Sequence, residues 1–270
     1  MEKKEKLTLV KVGGKIVEEA ASLGRLVGLF GRMDGLKLLV HGGGRTATDV
    51  AARLGIDTQM VDGRRVTDAP MLEVVTMVYG GLVNKRVVAL LQAEGVCALG
   101  LTGADMGLIR SRRRPLRNGV DYGFVGDVES VDGSRLAALL RAGITPVVAP
   151  LTLGEGGTLL NTNADTMASS VACALAAQFD VTLVYCFEHA GVLRDPADAQ
   201  SVIPTITPES FADLRREGIV SGGMIPKIEN ALAAVERGVG RVVITSAEHL
   251  DGNSGTSIVA DLQGEKLSLS

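Results

Sequence analysis

Two short apolar segments each run directly into a cluster of glycines, and this repeated pattern constrains the fold more than any other feature. The first covers residues 7–12 and is followed by two glycines, and the second covers 36–41 and is followed by three. A glycine turn after a strand lets the backbone approach an anion closely and point N–H groups at it. The pattern therefore predicts two strands whose carboxyl ends grip a phosphoryl group, with Lys11 supplying a positive charge nearby.

The rest of the chain alternates between predicted strands and predicted helices. Strands are predicted at 7–12, 36–41, 96–101, 144–149, 181–185 and 241–245, and helices at 47–54, 70–93, 134–141, 164–177 and 225–237. This alternation is typical of a mostly parallel sheet covered by helices on both faces. Three polar segments interrupt the alternation and predict hairpins at 55–67, 108–131 and 151–161. No linker or repeat divides the 270 residues, so we expect one α/β domain with one continuous sheet.

Composition argues against several classes of protein. Aromatic residues make up 3% of the chain, tryptophan is absent and the net charge is −3, which disfavours a nucleic-acid-binding surface. Cys97, Cys173 and Cys186 lie in apolar runs without zinc spacing, so we interpret them as reduced core residues and predict no metal held by side chains. We see no signal peptide and no run of about 18 uncharged apolar residues. We therefore expect a cytoplasmic protein without a membrane segment.

Charged residues beside predicted helix starts are candidates for ligand binding. Lys227 falls in the first turn of the helix over 225–237, where a cation opposes the helix dipole and a bound phosphate would compensate. Arg65 precedes a helix near Pro70, where a guanidinium suits a carboxylate ligand. Thr67 or Asp68 can cap that same helix, which accounts for these two residues without a function.

A polar segment before the helix over 164–177 offers a second group of candidates. Asn161, Asn163 and Asp165 would face the same side of an extended segment, where they could orient a polar substrate and hold a lysine. The alternative is a simple turn and helix cap. His41, the last residue of the second strand, is expected to satisfy a local backbone group rather than to act as a base.

The chain contains none of the common nucleotide-binding loops, but its markers in their joint order resemble the N-acetylglutamate kinases of the amino-acid kinase family. The resemblance extends from Val10 to Val259. The markers are Lys11-Val-Gly-Gly, His41-Gly-Gly-Gly, Gly63-Arg-Arg-Val-Thr-Asp, Gly81-Leu-Val-Asn-Lys, Gly123-Phe-Val-Gly-Asp-Val, Asn161-Thr-Asn-Ala-Asp, Gly222-Gly-Met-Ile-Pro-Lys and Gly255-Thr.

This resemblance implies a three-layer αβα sandwich that transfers a phosphoryl group from ATP, with Mg²⁺ bridging the nucleotide phosphates, to the side-chain carboxylate of an N-acylated glutamate. It implies an acylglutamate-binding half at about 1–178, a nucleotide-binding half at about 179–270, and a homodimer. The implied catalytic residues are Lys11, Lys227, Asp165 and Glu188. The implied substrate-binding residues are Gly43, Gly44, Arg65, Asn161 and Asn163. The implied phosphate- and nucleotide-binding residues are Gly13, Gly14, Gly191, Ser221 and Gly223.

Departures from the family pattern leave alternatives open. Glu188 stands where the family usually has aspartate, which leaves room for altered nucleotide geometry or for a catalytically silent binding subunit. An arginine cluster at 110–117 is either a solvated hairpin face or a reader of a second carboxylate, as in N-succinylglutamate. Arginine-inhibited members of the family carry an extra helix before the first strand, whereas six residues precede that strand here, so the resemblance implies no arginine inhibition. Carbamate and uridylate kinases remain alternatives within the fold.

Overall fold

The computed structural model describes residues 4–61, 63–187, 189–222, 224–250 and 254–260. Its centre is an eight-stranded sheet made of β1 (Glu5–Val12), β2 (Leu36–His41), β5 (Ala98–Leu101), β8 (Thr145–Val148), β11 (Phe179–Phe187), β12 (Thr205–Ile206), β13 (Arg241–Ser246) and β14 (Thr256–Ile258). Their spatial order is β12-β14-β13-β11-β1-β2-β8-β5, and of the neighbouring pairs in this sheet only β13 and β14 run antiparallel. All six predicted strands are confirmed, with ends that differ by a few residues.

Helices cover both faces of the sheet and enclose two apolar cores. Alternate residues of a strand point to opposite faces, so Leu7 and Leu9 of β1 belong to one core and Val10 and Val12 to the other. The first core lies under α6 (Gly133–Arg141), α7 (Ala164–Leu175), α8 (Pro208–Arg216) and α9 (Met224–Glu236). The second lies under α1 (Gly14–Glu18), α2 (Ala20–Arg32), α3 (Gly44–Arg53), α4 (Ala69–Val75) and α5 (Asn84–Ala93). The predicted three-layer sandwich is confirmed.

The predicted helix over 70–93 is one helical stretch in which a π-helical segment, Thr76–Val83, joins α4 to α5. By length and composition alone, Ala69–Ala93 is the one described helix that could cross a membrane. Met71, Val75 and Val87 are fully buried in the second core, so packing inside the protein accounts for part of the apolar composition of the stretch, while Met77 and Leu82 are exposed.

Two expectations about the chain need correction. The three predicted hairpins exist, but they do not extend the main sheet. The strands β3 (Met60–Val61) and β4 (Arg64–Arg65) form their own ribbon, and β6 (Ile109–Arg113), β7 (Gly126–Val131), β9 (Leu151–Leu153) and β10 (Leu159–Asn161) pair with one another in a separate four-stranded sheet. Cys186 is buried as predicted, but Cys97 is exposed and Cys173 is only partly buried. The apolar run around Cys97 leads into β5, an edge strand, which leaves part of the run outside the core.

Candidate active site

The two glycine turns meet, because β1 and β2 pair in parallel and end side by side, with Val12 opposite His41. A methyl group built on Gly14 would lie 3.5 Å from the nitrogen of Gly44 and 3.6 Å from that of Gly43. Gly43 has a φ of 154°, a conformation that residues with a side chain rarely adopt. The turns therefore touch through bare backbone, and the predicted grip from two sides is sterically feasible.

Arg65 lies in a cleft of about 190 Å³ beside these turns. It is 8% exposed and donates hydrogen bonds to the carbonyl oxygen of Gly44 at 2.7 Å, to Thr48 Oγ1 at 2.9 Å and to Thr58 Oγ1 at 3.2 Å. These acceptors are neutral, and no carboxylate among the described residues pairs with the guanidinium. A buried cation fixed in this way suits an anionic ligand.

Asn161 and Asn163 line the same cleft, whereas Asp165 does not. Asn161 Nδ2 donates to Thr67 Oγ1 at 2.9 Å, and Asn163 caps α7 by accepting from the backbone N–H of Thr166 at 3.0 Å. The expectation that all three residues face one side is wrong, because α7 begins at Ala164 and the helix rotates Asp165 away. Both alternatives for Asn163 hold, since this residue is a helix cap and also part of the cleft wall.

Asp165 instead pairs with Lys11, whose Nζ lies 2.6 Å from Asp165 Oδ1. Lys11 follows Leu7 and Leu9 on the same face of β1, which places its ammonium under the first turn of α7. The lysine side chain is 8% exposed and the aspartate 27%, so the pair is largely shielded from solvent. Tyr185, opposite Lys11 in the sheet, donates its hydroxyl to the carbonyl oxygen of Asp165 at 3.2 Å.

Phe187, two residues further along β11, brings the two predicted catalytic lysines together. The Nζ of Lys227 lies 3.9 Å from the centre of its ring, and the Nζ of Lys11 lies 5.2 Å from it. Two residues that are 216 positions apart in the chain therefore present their ammonium groups to a single side chain. Lys227, Phe187 and Asp165 also line a small common recess.

A second cleft of about 640 Å³ adjoins the first and shares Gly14, Gly44, Met60 and Arg65 with it. Lys227 and Phe187 form part of its wall. Of the predicted nucleotide-binding residues, Gly13, Gly14 and Gly191 line it, while Ser221 is exposed and is not part of the wall. Glu188 and Gly223 lie outside the described residues.

His41 is fully buried beside the second glycine turn and satisfies neighbouring groups, as predicted. Its Nδ1 donates to the carbonyl oxygen of Gly42 at 2.7 Å, and its Nε2 accepts from Asn84 Nδ2 at 3.1 Å. Burial lowers the pKa of His41 to about 4, so the ring is neutral at pH 7. The predicted cap of the following helix is also found, since Asp68 accepts from the backbone N–H of Met71.

Sequence reasoning missed several residues that the structure places at the site. Tyr79 and Arg64 line the smaller cleft, and Glu18 lies beside the glycine turns. Tyr79 is carried by the π-helical segment, which has no reliable sequence signature, and Glu18 by a helix that was not predicted. Among the described residues, no three His, Cys, Asp or Glu side chains converge in a way that could hold a metal ion.

A three-layer α/β fold with two touching glycine turns, a buried arginine in a cleft beside them and two lysines that meet on one phenylalanine is consistent with a phosphotransferase of small molecules. The profile of the "Amino acid kinase family" matches residues 6–246, and the chain belongs to that family.

Curated relatives and a solved structure agree with this assignment. A protein from Phocaeicola vulgatus named acetylglutamate kinase is 62% identical over 255 residues, which cover 94% of this chain and 99% of that protein. A Methanopyrus kandleri protein of the same name is 44% identical over 93% of this chain and its own full length. The crystal structure of smu.665 from Streptococcus mutans superposes with a TM-score of 0.77 at 28% identity, covering 94% of this chain and 99% of that one.

Proposed function

We propose that the chain is an ATP-dependent kinase that phosphorylates the side-chain carboxylate of N-acetyl-L-glutamate, the second step of arginine biosynthesis. The curated relatives at 58–62% identity carry the name of this activity. The observation that carries the proposal is that the cleft around Arg65 and Asn161 meets the lysine-bearing cleft at Gly14 and Gly44. The carbamate and uridylate kinase alternatives are not favoured.

The chemistry asks for positioning and charge neutralisation rather than for a base. The acceptor carboxylate is already ionised at pH 7, so nothing has to remove a proton from it. Arg65 and Asn161 hold the α-carboxylate of the substrate, and backbone N–H groups of the glycine turns hold the acceptor and the phosphoryl group. Lys11 and Lys227 then neutralise the charge of the phosphoryl group as it is transferred, and Asp165 keeps Lys11 in place. The acyl group blocks the amine, so that the acyl phosphate cannot cyclise.

ATP would occupy the larger cleft, with its phosphates toward Gly13 and Gly14. A magnesium ion usually binds through one or two carboxylates together with the substrate phosphates. Within the described part of the chain, Asp165 is the carboxylate that contacts the lysine pair, and it is already paired with Lys11. The residues therefore fit an ion held chiefly by the nucleotide phosphates, where it would supply further charge neutralisation.

A dicarboxylic acyl group, as in N-succinyl-L-glutamate, is a second candidate, and Arg64 favours it. Of the cluster at 110–117, Arg110, Arg112, Arg113 and Arg117 are exposed, as a solvated face would be. The side chain of Arg64, by contrast, lines the cleft and makes no hydrogen bond or ion pair within the described part of the chain. Burial, and then the charge of nearby Arg114, lower the pKa of Arg64, and the charge of Asp127 offsets part of this. A carboxylate at the end of the acyl chain would add to the favourable charge that Asp127 supplies.

We further propose a cytoplasmic homodimer. The candidate interface combines the π-helical segment with the edge strand β5, where Met77 is 54% exposed, Leu82 56% and Leu99 38%. Exposed apolar side chains next to an open sheet edge are typical of a surface that another chain covers. Light scattering of the wild type and of Leu82→Glu tests this, since the substitution should give a monomer.

A hydroxamate assay tests the activity. The purified chain is incubated with ATP, Mg²⁺ and hydroxylamine plus N-acetyl-, N-succinyl- or unacylated L-glutamate, and the trapped acyl phosphate is measured. We expect product from an acylated glutamate and none from free glutamate. A preference for the succinyl substrate that Arg64→Leu abolishes would establish the second candidate, whereas a clear preference for acetyl would remove it. ATP binding without turnover of any acylglutamate would instead establish the silent binding subunit.

A further inference from the structure

The helix α3, which follows the second glycine turn, receives its cap from another part of the chain. Its N-cap residue is Gly43, which has no side chain to accept a hydrogen bond from the first helical turn. The carboxylate of Glu18 does so instead, since Glu18 Oε1 accepts from the backbone N–H of Thr46 at 2.9 Å. The donor and acceptor are 28 positions apart, and Glu18 ends the helix that begins at Gly14.

The same carboxylate oxygen also lies against the first glycine turn. A methyl group built on Gly14 would lie 3.4 Å from Glu18 Oε1, and at nearly the same distance from the backbone nitrogens of Gly43 and Gly44. Glu18 is therefore close to the point where the two turns touch. Because it reaches from the end of α1 to the start of α3, it fixes the separation of these two helices at the turns.

The carboxylate also determines which N–H groups remain for a ligand. The first N–H groups of a helix have no partner within the helix, and they attract anions. Glu18 accepts a hydrogen bond from the N–H group of Thr46, while the N–H groups of Gly43 and Gly44 make no backbone hydrogen bond among the described residues. On the other side of the same helical turn, Arg65 donates to the carbonyl oxygen of Gly44. The first turn of α3 is thus held between an anion and a cation.

We infer that Glu18 is a positioning residue for phosphoryl transfer. It caps α3 from a neighbouring helix and so sets the spacing of the two glycine turns. This inference rests on the proposed function. It assigns Glu18 no contact with the reacting atoms. Its contribution is to accept the hydrogen bond from the backbone N–H of Thr46. An amide oxygen can accept this bond in place of the carboxylate, and a methyl group cannot.

Kinetics of Glu18→Ala and Glu18→Gln test the inference, with Glu19→Ala as the matched control. The carboxylate of Glu19 is one residue away but accepts from Ser22 Oγ at 2.7 Å, away from the turns. A misplacement of about 1 Å can cost about 100-fold in rate, so we expect kcat of Glu18→Ala to fall by about 10- to 100-fold. We expect little change in KM for the acylglutamate. Glu18→Gln and Glu19→Ala should keep kcat near the wild-type value.

Wild-type kcat in Glu18→Ala, or equal losses in Glu18→Ala and Glu18→Gln, would overturn the inference. Hydrogen exchange of a peptide over 42–48 provides a readout that does not depend on activity, so it separates this inference from the proposed function. Exchange there should accelerate in Glu18→Ala and remain slow in Glu18→Gln, even if the wild type phosphorylates no acylglutamate. Unchanged exchange in Glu18→Ala would also refute the role. Should Glu18→Ala fail to fold, Glu18→Asp replaces it, because the shorter side chain must lose kcat if the reach to Thr46 matters.

Discussion

The buried histidine beside the second glycine turn should make the protein sensitive to mild acid. His41 is fully buried and neutral, and both ring nitrogens are engaged, one donating to Gly42 and the other accepting from Asn84. A proton added to the accepting nitrogen would place two donors face to face. Burial accordingly lowers the pKa from the ordinary value of 6.5 to about 4.

The sign of the effect follows from the order of the two pKa values. Between pH 6.5 and pH 4 the unfolded chain binds a proton at His41 and the folded chain does not. The contribution of neutral His41 to the free energy of unfolding is therefore fully present above the unfolded pKa, and it is lost as the pH falls through this window. Because one pKa unit corresponds to about 1.4 kcal/mol, the whole shift is worth about 3 kcal/mol, of which about 2 kcal/mol should disappear between pH 7 and pH 5.

Urea unfolding of the wild type and of His41→Gln, followed by circular dichroism between pH 7 and pH 5, measures this contribution. The carboxylates common to both proteins cancel in the difference between their free energies of unfolding. That difference should shrink by about 2 kcal/mol as the pH falls, since the variant has lost the titrating group. Val147→Ala is the control, because it removes buried apolar volume nearby and should lower stability equally at every pH. A difference between wild type and His41→Gln that stays constant with pH would refute the reasoning.

Three further predictions concern the site itself. Asp165→Asn leaves the buried Lys11 ammonium without its ion pair, so the free energy of unfolding should fall by about 2–3 kcal/mol and kcat should fall with it. Unchanged thermal unfolding and turnover would argue against the ion pair. Gly43→Ala forces a side chain into a φ of 154° and to within 3.1 Å of the Tyr79 ring. We therefore expect the free energy of unfolding in urea to fall by about 1–3 kcal/mol, together with loss of turnover. Wild-type stability and turnover would contradict the packing of the turns. Arg65→Lys keeps the charge but loses the planar fork, so KM for the acylglutamate should rise about tenfold or more while KM for ATP changes little; equal changes in both constants would place Arg65 elsewhere in the mechanism.

The sequence predicted the sheet better than it predicted the arrangement of the site. Six of the eight strands of the main sheet were found because each is a short apolar run bounded by glycine or polar residues. The strands β12 and β14 were missed, since they are only two and three residues long. The helices α1, α2 and α8 were missed. The first is only five residues long, and no element was predicted for the segments that form the other two.

Contacts between site residues that are distant in the sequence could not be predicted. Lys11 and Lys227 were identified from local context, but their shared contact with Phe187 depends on the register of β1 with β11, which a single strand does not encode. Asp165 was assigned to hold a lysine, yet its expected neighbours were wrong, because one helical residue rotates a side chain by about 100°. Glu18 gave no signal at all, since its partner is a backbone N–H in another helix.

The position of β1 between β2 and β11 has a consequence for how the molecule is made. The strand that carries Lys11 pairs on one side with residues 36–41, which follow it closely, and on the other with residues 179–187, which a ribosome adds much later. Until then, one edge of a largely buried strand has no partner, and contacts between such distant segments slow folding. The two proposed functional halves are therefore not two independent folding units. A fragment that stops near residue 178 should be prone to aggregate through this open edge, and adding the remaining segment in trans should restore solubility.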